Sequence, residues 1–232
     1  MEHLSPLLRI TGVIAFSGAL LYAIGDVLLL ASKVNLNDYP KLKPFAKLLD
    51  DAEKMVVLSP KRMAWGALLG VFATPLVMAG YWQVYHGLTG ADPLFVLVTV
   101  LLFGCASVMG AFVHGTFYYM GEYIGALNKV DEPSQAIIAE MIARHRKVLI
   151  ISYAPVMLMI AIASILFSIL VTTQKTAFPL WITAINPLTM TIAWLLVKRI
   201  LPQFIRDWTE GAGFNIAFMI FFTATTIALW NS

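Results

Sequence analysis

The sequence predicts an all-α integral membrane protein, built as a bundle of six transmembrane helices with both termini outside. Hydrophobic residues make up 59% of the chain and charged residues only 12%, which is about half of the roughly 25% that soluble domains carry. A chain of this composition cannot cover a water-exposed surface with polar side chains. The apolar residues are gathered into six long segments, and the basic residues are concentrated in alternate connections between them.

Each of the six apolar segments is long enough to cross a bilayer. A helix rises about 1.5 Å per residue, so about 20 apolar residues span a hydrocarbon core of about 30 Å. The predicted transmembrane spans are residues 8–31, 63–85, 93–126, 148–171, 178–197 and 211–230. Because little of the 232-residue chain lies outside these spans, we expect a single transmembrane domain over residues 1–232.

The basic residues predict how the spans are oriented. Of the 16 lysines and arginines, all but Arg9 and Lys175 lie in or beside the first, third and fifth loops. Loops rich in lysine and arginine face the cytoplasm, so these three loops should be cytoplasmic and both termini should lie outside. At the outer end of the second span, Tyr81, Trp82 and Tyr85 fit the aromatic belt of a membrane interface.

Two of the cytoplasmic loops are predicted to contain helix. In residues 41–58, apolar side chains recur at helical spacing and charged side chains take the opposite side, which is typical of an amphipathic helix lying in the interface. In the third loop, Asp131 and Glu132 precede Pro133, a pattern that starts a helix. The fourth helix should therefore begin here and project into the cytoplasm. We expect the basic loops to attract anionic membrane lipids, and not nucleic acid.

The third span contains the polar stripe that points to a functional site. Ser107, His114, Tyr118 and Glu122 lie along one stripe of the predicted helix, the last three at spacings of four residues. Ionisable side chains within a membrane are costly, and they face a bundle interior or a cavity where they serve function. The structural alternative is a histidine hydrogen-bonded to a neighbouring helix and a carboxylate that is paired or protonated.

Four further polar side chains are predicted to reach the same layer of the membrane. Counted along the helices from the nearest cytoplasmic basic residue, Asp26, Tyr153 and Asn215 fall in the cytoplasmic half, and Asn186 lies near the midplane. Convergence of five helices on one layer predicts a polar pocket in the cytoplasmic half. Each residue alone also has an ordinary explanation, such as an ion pair, an aromatic belt or a contact between helices.

Three functions fit this pattern. In the first, the pocket binds a small lipophilic molecule and acts on it, with Glu122 and Asp26 as catalytic proton donor and acceptor and His114 as the relay. The ligand would then be held by Tyr118, Tyr153, Asn186, Asn215 and Ser107. In the second, the same groups form the path of a proton-coupled transporter or ion-conducting protein. In the third, they join helices in a structural or assembly subunit.

The sequence argues against metal and redox chemistry. The four histidines are scattered over tail, loops and membrane without the spacing of a metal site, so we expect no metal and no cofactor. Cys105 is the only cysteine, which excludes a disulfide within the chain and a dithiol pair. No glycine-rich phosphate loop is present, so ATP-driven transport by this chain alone is excluded.

Prolines and glycines predict local features of the helices. Pro75, Pro155 and Pro187 lie within predicted spans, where a proline removes a backbone hydrogen bond and kinks the helix. Gly66 and Gly70 form a small-residue face suited to close helix packing, within one chain or between the protomers of a homo-oligomer.

Four short stretches together resemble one family of proteins. They are Gly-Asp at 25–26, Gly-Ala-Phe-Val-His-Gly-Thr-Phe at 110–117, Phe-Pro-Leu-Trp at 178–181 followed by Asn-Pro-Leu at 186–188, and Gly-Ala-Gly-Phe-Asn-Ile-Ala-Phe at 211–218. The chain resembles, over nearly its whole length, an uncharacterised family of bacterial multi-pass membrane proteins. The resemblance implies a bacterial inner-membrane location and implies no activity.

Overall fold

The computed structural model describes residues 5–230, and in this range the fold is all-helical. The terminal residues 1–4 and 231–232, on which the predicted location of both termini depends, lie outside the described residues. The α-helices are α1 Ser5–Leu30, α2 Ala46–Leu49, α3 Pro60–Leu88, α4 Pro93–Lys129, α5 Glu132–Thr172, α6 Pro187–Val197, α7 Gln203–Trp208 and α8 Gly213–Ala228.

Four of these helices, α1, α3, α4 and α5, are long and apolar enough to cross a membrane, by length and composition. Helices α6 and α8 are also apolar but shorter. Three of the long helices begin at a polar cap with a proline in the first turn. Ser59 caps α3, Asp92 caps α4 and Asp131 caps α5, and each side-chain oxygen accepts a backbone N–H of the first turn. The predicted helix start at Asp131 is therefore confirmed.

Six helices form a closed ring in cross-section. Helix α1 packs against α3 on one side and α8 on the other, α3 packs against α4, and α4 packs against α5. The ring closes through α6, which packs mainly on α8 and touches α5 more loosely. At the α5 contact, the Ser164 hydroxyl accepts the Leu188 N–H. At the α8 contact, a side chain at Gly213 would overlap the indole of Trp194. Helix α6 thus starts beside α5 and ends against α8.

The connections at residues 31–59, 130–131 and 198–212 meet at one end of the bundle. The contacts that join these connections to one another and to α5 are Lys33 with Asp207, Lys54 with Glu210, Lys41 with the Val130 carbonyl and Arg146 with Asp50. At the opposite end, the Arg9 guanidinium lies 4.8 Å from the ring centre of Trp230 and donates to its carbonyl. The hydrogen bond from the Lys33 ammonium lowers the pKa of the Asp207 carboxyl, because hydrogen bonding to the ionised form favours it.

The prediction of a single amphipathic helix over residues 41–58 is wrong. The segment consists of a 3-10 helix over Pro40–Phe45, the one-turn α2, and a second 3-10 helix over Ala52–Val57. Prolines in the first part, and the left-handed backbone of Asp50 (φ 47°) and Asp51 (φ 70°), break the helix. Leu42, Leu49, Met55 and Leu58 of this segment are nevertheless buried, because the segment packs against α1 and α4.

The predicted fifth span, residues 178–197, is not a continuous helix. A 3-10 helix over Leu180–Ala184 is followed by α6, which begins at Pro187 with Asn186 as its cap. Pro187 therefore starts a helix and does not kink one, whereas Pro75 and Pro155 do lie inside α3 and α5. With 11 residues, α6 is about 16 Å long, which is shorter than a hydrocarbon core.

Substitution of the α6 cap should destabilise the fold. Asn186 accepts the Thr189 N–H and donates to the Ser168 hydroxyl and the Thr183 carbonyl. We expect Asn186→Ala to lower the free energy of unfolding by on the order of 1–3 kcal/mol, because a cap and buried hydrogen bonds are lost. Asn186→Ser keeps a cap oxygen and should lose less. Reversible unfolding in detergent would measure both, and equal losses would contradict the capping role.

Candidate functional site

A cavity of about 410 Å³ lies between α1, α3, α4, α5 and α8. Most of its wall is apolar, formed by side chains such as Val77, Val113, Val156, Ile160 and Phe218. Polar groups reach it from all five helices, namely Tyr22 and Asp26 of α1, Tyr81 of α3, Ser107 and His114 of α4, Tyr153 of α5, and Asn215 of α8. The cavity therefore combines an apolar body with a small number of convergent polar groups.

The centre of the site is a buried pair formed by Asp26 and His114. The Nε2 atom of His114 lies 3.1 Å from Oδ1 of Asp26, and the other carboxylate oxygen accepts a hydrogen bond of 2.6 Å from the Asn215 amide. Asp26 is only 8% exposed and His114 only 6%. Three helices, α1, α4 and α8, thus meet through one carboxylate.

The hydrogen bonds of His114 show where its protons lie. Its Nδ1 atom is 3.2 Å from the carbonyl oxygen of Ala67, which can only accept, so Nδ1 carries a proton. The contact between Nε2 and Asp26 then needs a second proton, held either by the imidazolium or by the carboxylic acid. Without it, two lone pairs would face each other. With this proton between Nε2 and Oδ1, the pair is electrically neutral.

Glycines allow the His114 ring to fit between α1 and α3. A side chain at Gly70 of α3 would overlap the imidazole, and a Cβ at Gly25 of α1 would lie 3.0 Å from its Cε1 atom. Gly66, one turn before Gly70, lies against Leu29 of α1. The close-packing face predicted at Gly66 and Gly70 thus serves contacts within the chain.

Beside the Asp26–His114 pair, hydrogen bonds hold the Tyr22 side chain in the wall of the cavity. The Tyr22 ring meets the His114 ring edge-on, with centres 5.3 Å apart. The Thr74 hydroxyl donates to the Gly70 carbonyl, so it accepts the Tyr22 hydroxyl proton at 2.5 Å. At another part of the wall, the Tyr81 and Ser107 hydroxyls are 2.8 Å apart. Tyr81 is 2% exposed, so its predicted place in an aromatic belt is wrong.

Five of the predicted site residues line the cavity: Asp26, Ser107, His114, Tyr153 and Asn215. Three do not. Tyr118 packs against the buried apolar cluster that contains Leu42, Leu49 and Met55 of the first loop. Asn186 caps α6, and one buried carboxylate oxygen of Glu122 has no hydrogen-bond partner. No hydrogen bond or ion pair of the described residues joins Glu122 to Asp26.

Helix geometry explains this division of the stripe. Seven residues separate Ser107 from His114, which turns the side chain by only about 20° around the helix. Steps of four residues each turn it by about 40° in one direction, so Glu122 lies about 80° from His114. Ser107 and His114, seven residues apart, therefore both line the cavity, whereas Tyr118 and Glu122 are rotated away from it.

Some residues of the site were missed in the sequence. Tyr22 lies one turn before Asp26 on the same face of α1, and that spacing could have found it. The buried cluster of Gln83, Thr225 and Thr226 was also missed. In this cluster Gln83 donates to the Thr226 hydroxyl and accepts from Thr225. These groups satisfy one another away from the cavity wall and join α3 to α8.

The fold is that of an all-helical protein with four helices long and apolar enough to cross a membrane, and a cavity lies between its helices. The chain belongs to a family of unknown function, DUF6796, whose model matches residues 1–232. This match confirms the prediction that the chain is a member of an uncharacterised family. Neither the curated proteins nor the solved structures contain a match to the chain.

A double-mutant cycle would test the Asp26–His114 pair. We expect Asp26→Ala or His114→Ala alone to cost about 3–5 kcal/mol, because each leaves a buried polar partner unpaired. The double variant should cost clearly less than the sum, because the second substitution removes the unpaired group. Unfolding in detergent would measure the cycle. Asp26→Asn with Glu122→Gln is the control and should be additive; strict additivity for Asp26 and His114 would contradict the pair.

Proposed function

We propose that the protein binds a small lipophilic molecule in this cavity and that the Asp26–His114 pair exchanges a proton with it. One observation carries the proposal: a buried, proton-holding pair lies in the wall of a mainly apolar cavity. The volume of about 410 Å³ lies within the roughly 300–1,000 Å³ of small-molecule sites. Such sites combine apolar walls with few orienting polar groups.

The geometry supports distinct roles for the polar groups. The pair gives or takes the proton that lies between Nε2 of His114 and Oδ1 of Asp26. Asn215 holds the carboxylate in place through its amide. The Tyr153 hydroxyl has no hydrogen bond to another described residue, so it is free to orient a ligand. The roles predicted for Tyr118, Glu122 and Asn186 are not part of this proposal.

Two observations favour a binding pocket over the alternative functions. A proton or ion path needs polar groups on both sides of the pair, but Gln83, Thr225 and Thr226 are occupied with one another. Polar groups that only join helices are expected to be packed on all sides. The Asp26–His114 pair instead borders an unfilled volume.

The proposal includes six membrane crossings in the inner membrane of a bacterium, with both termini outside. The basic loops meet at one end of the bundle, and Trp230 meets Arg9 at the other. The contact at Trp230 supports a crossing by the segment that contains α8, and the hydrogen bond from the Ala177 N–H to the Gly87 carbonyl at the end of α3 supports one by the segment that contains α6. The bacterial location rests on the resemblance of the sequence motifs, and the orientation rests on the basic loops.

Cysteine labelling would test these crossings. In a Cys105→Ser background, we expect Lys175→Cys to react with a membrane-impermeant maleimide in intact cells whose outer membrane is permeabilised. Asp38→Cys should react only after the inner membrane is opened. Both native side chains are exposed, so the membrane and not burial decides the labelling. Equal labelling of both in intact cells would contradict the proposed orientation.

Filling the cavity should displace the ligand without unfolding the protein. Gly110 borders the cavity, and a Cβ added there meets no atom within 4 Å. We expect Gly110→Leu to occupy ligand space, so native mass spectrometry of protein extracted from its own membrane should show a bound small molecule on the wild type and not on the variant.

Gly104 provides the matched control, because it lies on the same helix, has equal space around its Cα and does not line the cavity. Gly104→Leu should keep the bound molecule. If wild type and both variants are equally free of ligand, or retain it equally, the cavity is not a binding site and the proposal is wrong.

A further inference from the structure

We infer that the ligand is a lipophilic organic cation, which takes the place of the proton held between Asp26 and His114. This inference rests on the proposed function and names the class of molecule that the cavity binds. It follows from the charge of the site, from the side chains around it, and from the side on which it is open.

The charge of the site changes by one unit when the shared proton leaves. Protonated, the pair is neutral; deprotonated, it carries one negative charge, which the uncharged imidazole and the uncharged Asn215 amide do not balance. Among the described residues, no lysine or arginine lines the cavity. A bare negative charge is costly in such a place unless a cation pairs with it. A bound cation supplies that partner, whereas a bound anion would be repelled by the carboxylate.

The cavity wall suits an organic cation better than a metal ion. Six aromatic side chains line it: Tyr22, Tyr81, Phe117, Tyr153, Phe214 and Phe218. The faces of such rings attract quaternary ammonium and similar cations. A metal ion would need several oxygen, nitrogen or sulfur ligands, and the described residues contain no cluster of three or more histidine, cysteine or acidic side chains that could hold one.

The cavity is open on the side where a lipophilic molecule would arrive. Helices α5 and α8 both line it, and the aromatic contact that joins them, Phe167 with Phe221, lies beyond the lining residues of both helices. On α5, the lining residues Ile150 and Tyr153 are 60% and 44% exposed. A molecule dissolved in the bilayer therefore has a route between α5 and α8 to the pair. Tyr153 lies in this route.

Other charged groups near the pair are already engaged. Arg62 donates to the carbonyls of Val27, Leu28 and Ala31 at the end of α1, and Glu210, next to the lining residue Gly211, pairs with Lys54 at 3.0 Å. The remaining ionisable groups in the wall are the phenols of Tyr22, Tyr81 and Tyr153, which keep their protons at neutral pH. A proton released on binding would therefore come from Asp26 and His114.

Matched probes would test the inference. Methyltriphenylphosphonium and triphenylphosphine oxide share three phenyl rings and differ in charge, because a methyl group replaces the oxygen. Isothermal titration of the whole protein in nanodiscs, with empty nanodiscs as the blank, would give the affinity for each between pH 6 and 8. Repeating the titrations in buffers of different ionisation enthalpy would give the number of protons released.

We expect the cation to bind about tenfold more tightly for each rise of one pH unit while the free pair is protonated, with release of about one proton. Asp26→Asn should lose cation binding and proton release and still bind the neutral probe. Asp38→Asn, an exposed aspartate far from the cavity lining, should behave as wild type.

The possible failures are distinguishable. If the neutral probe binds equally at all pH values and the cation does not bind, the cavity is a ligand site but the inference is overturned. The same holds if the cation binds without pH dependence or equally to Asp26→Asn. If neither probe binds to the wild type and Gly110→Leu still retains the native bound molecule, the cavity is not the site, and the proposed function is overturned with the inference.

Discussion

The carboxylate of Asp26 is the constraint around which the bundle is built. A carboxylate so deeply buried requires a proton or hydrogen-bond donors close by. Helix α4 supplies His114, α8 supplies Asn215, and α3 supplies the Ala67 carbonyl that orients the imidazole. Gly70 is needed in α3 because the ring occupies the space of its side chain. Four helices are thus joined by Asp26 and His114.

The pair is better explained by function than by stability. Buried ion pairs add little net stability, because the cost of removing two charges from water offsets their attraction. Apolar side chains of similar size would fill the same volume at lower cost. Here the pair instead lies beside a cavity of about 410 Å³, and filling a cavity is itself stabilising. Retaining both the buried charge and the empty space is a cost that binding of a ligand would justify.

The sequence predicted the helical class, the long helices and the start of α5, because apolar length and proline-flanked caps are local signals. It also predicted Asp26, His114, Tyr153 and Asn215 as polar groups of one layer and Ser107 on the same stripe as His114, and all five line the cavity. The depth of a side chain in the membrane can be counted along its own helix. Which side of that helix faces the cavity depends on how neighbouring helices pack against it. For that reason Glu122 lies on the predicted stripe but does not line the cavity. Asn186, predicted to contact a ligand, instead caps α6.

The break before α6 explains why the cavity has a side opening. Because Asn186 caps a new helix at Pro187, the chain changes direction there, and α6 leaves α5 after the contact between Ser164 and Leu188. It then packs on α8, where Trp194 fills the space above Gly213. A continuous span would have run along α5 and covered its cavity-lining face. Ile150 and Tyr153 on this face are exposed, so the same local feature that made the fifth span hard to predict agrees with the inferred route between α5 and α8.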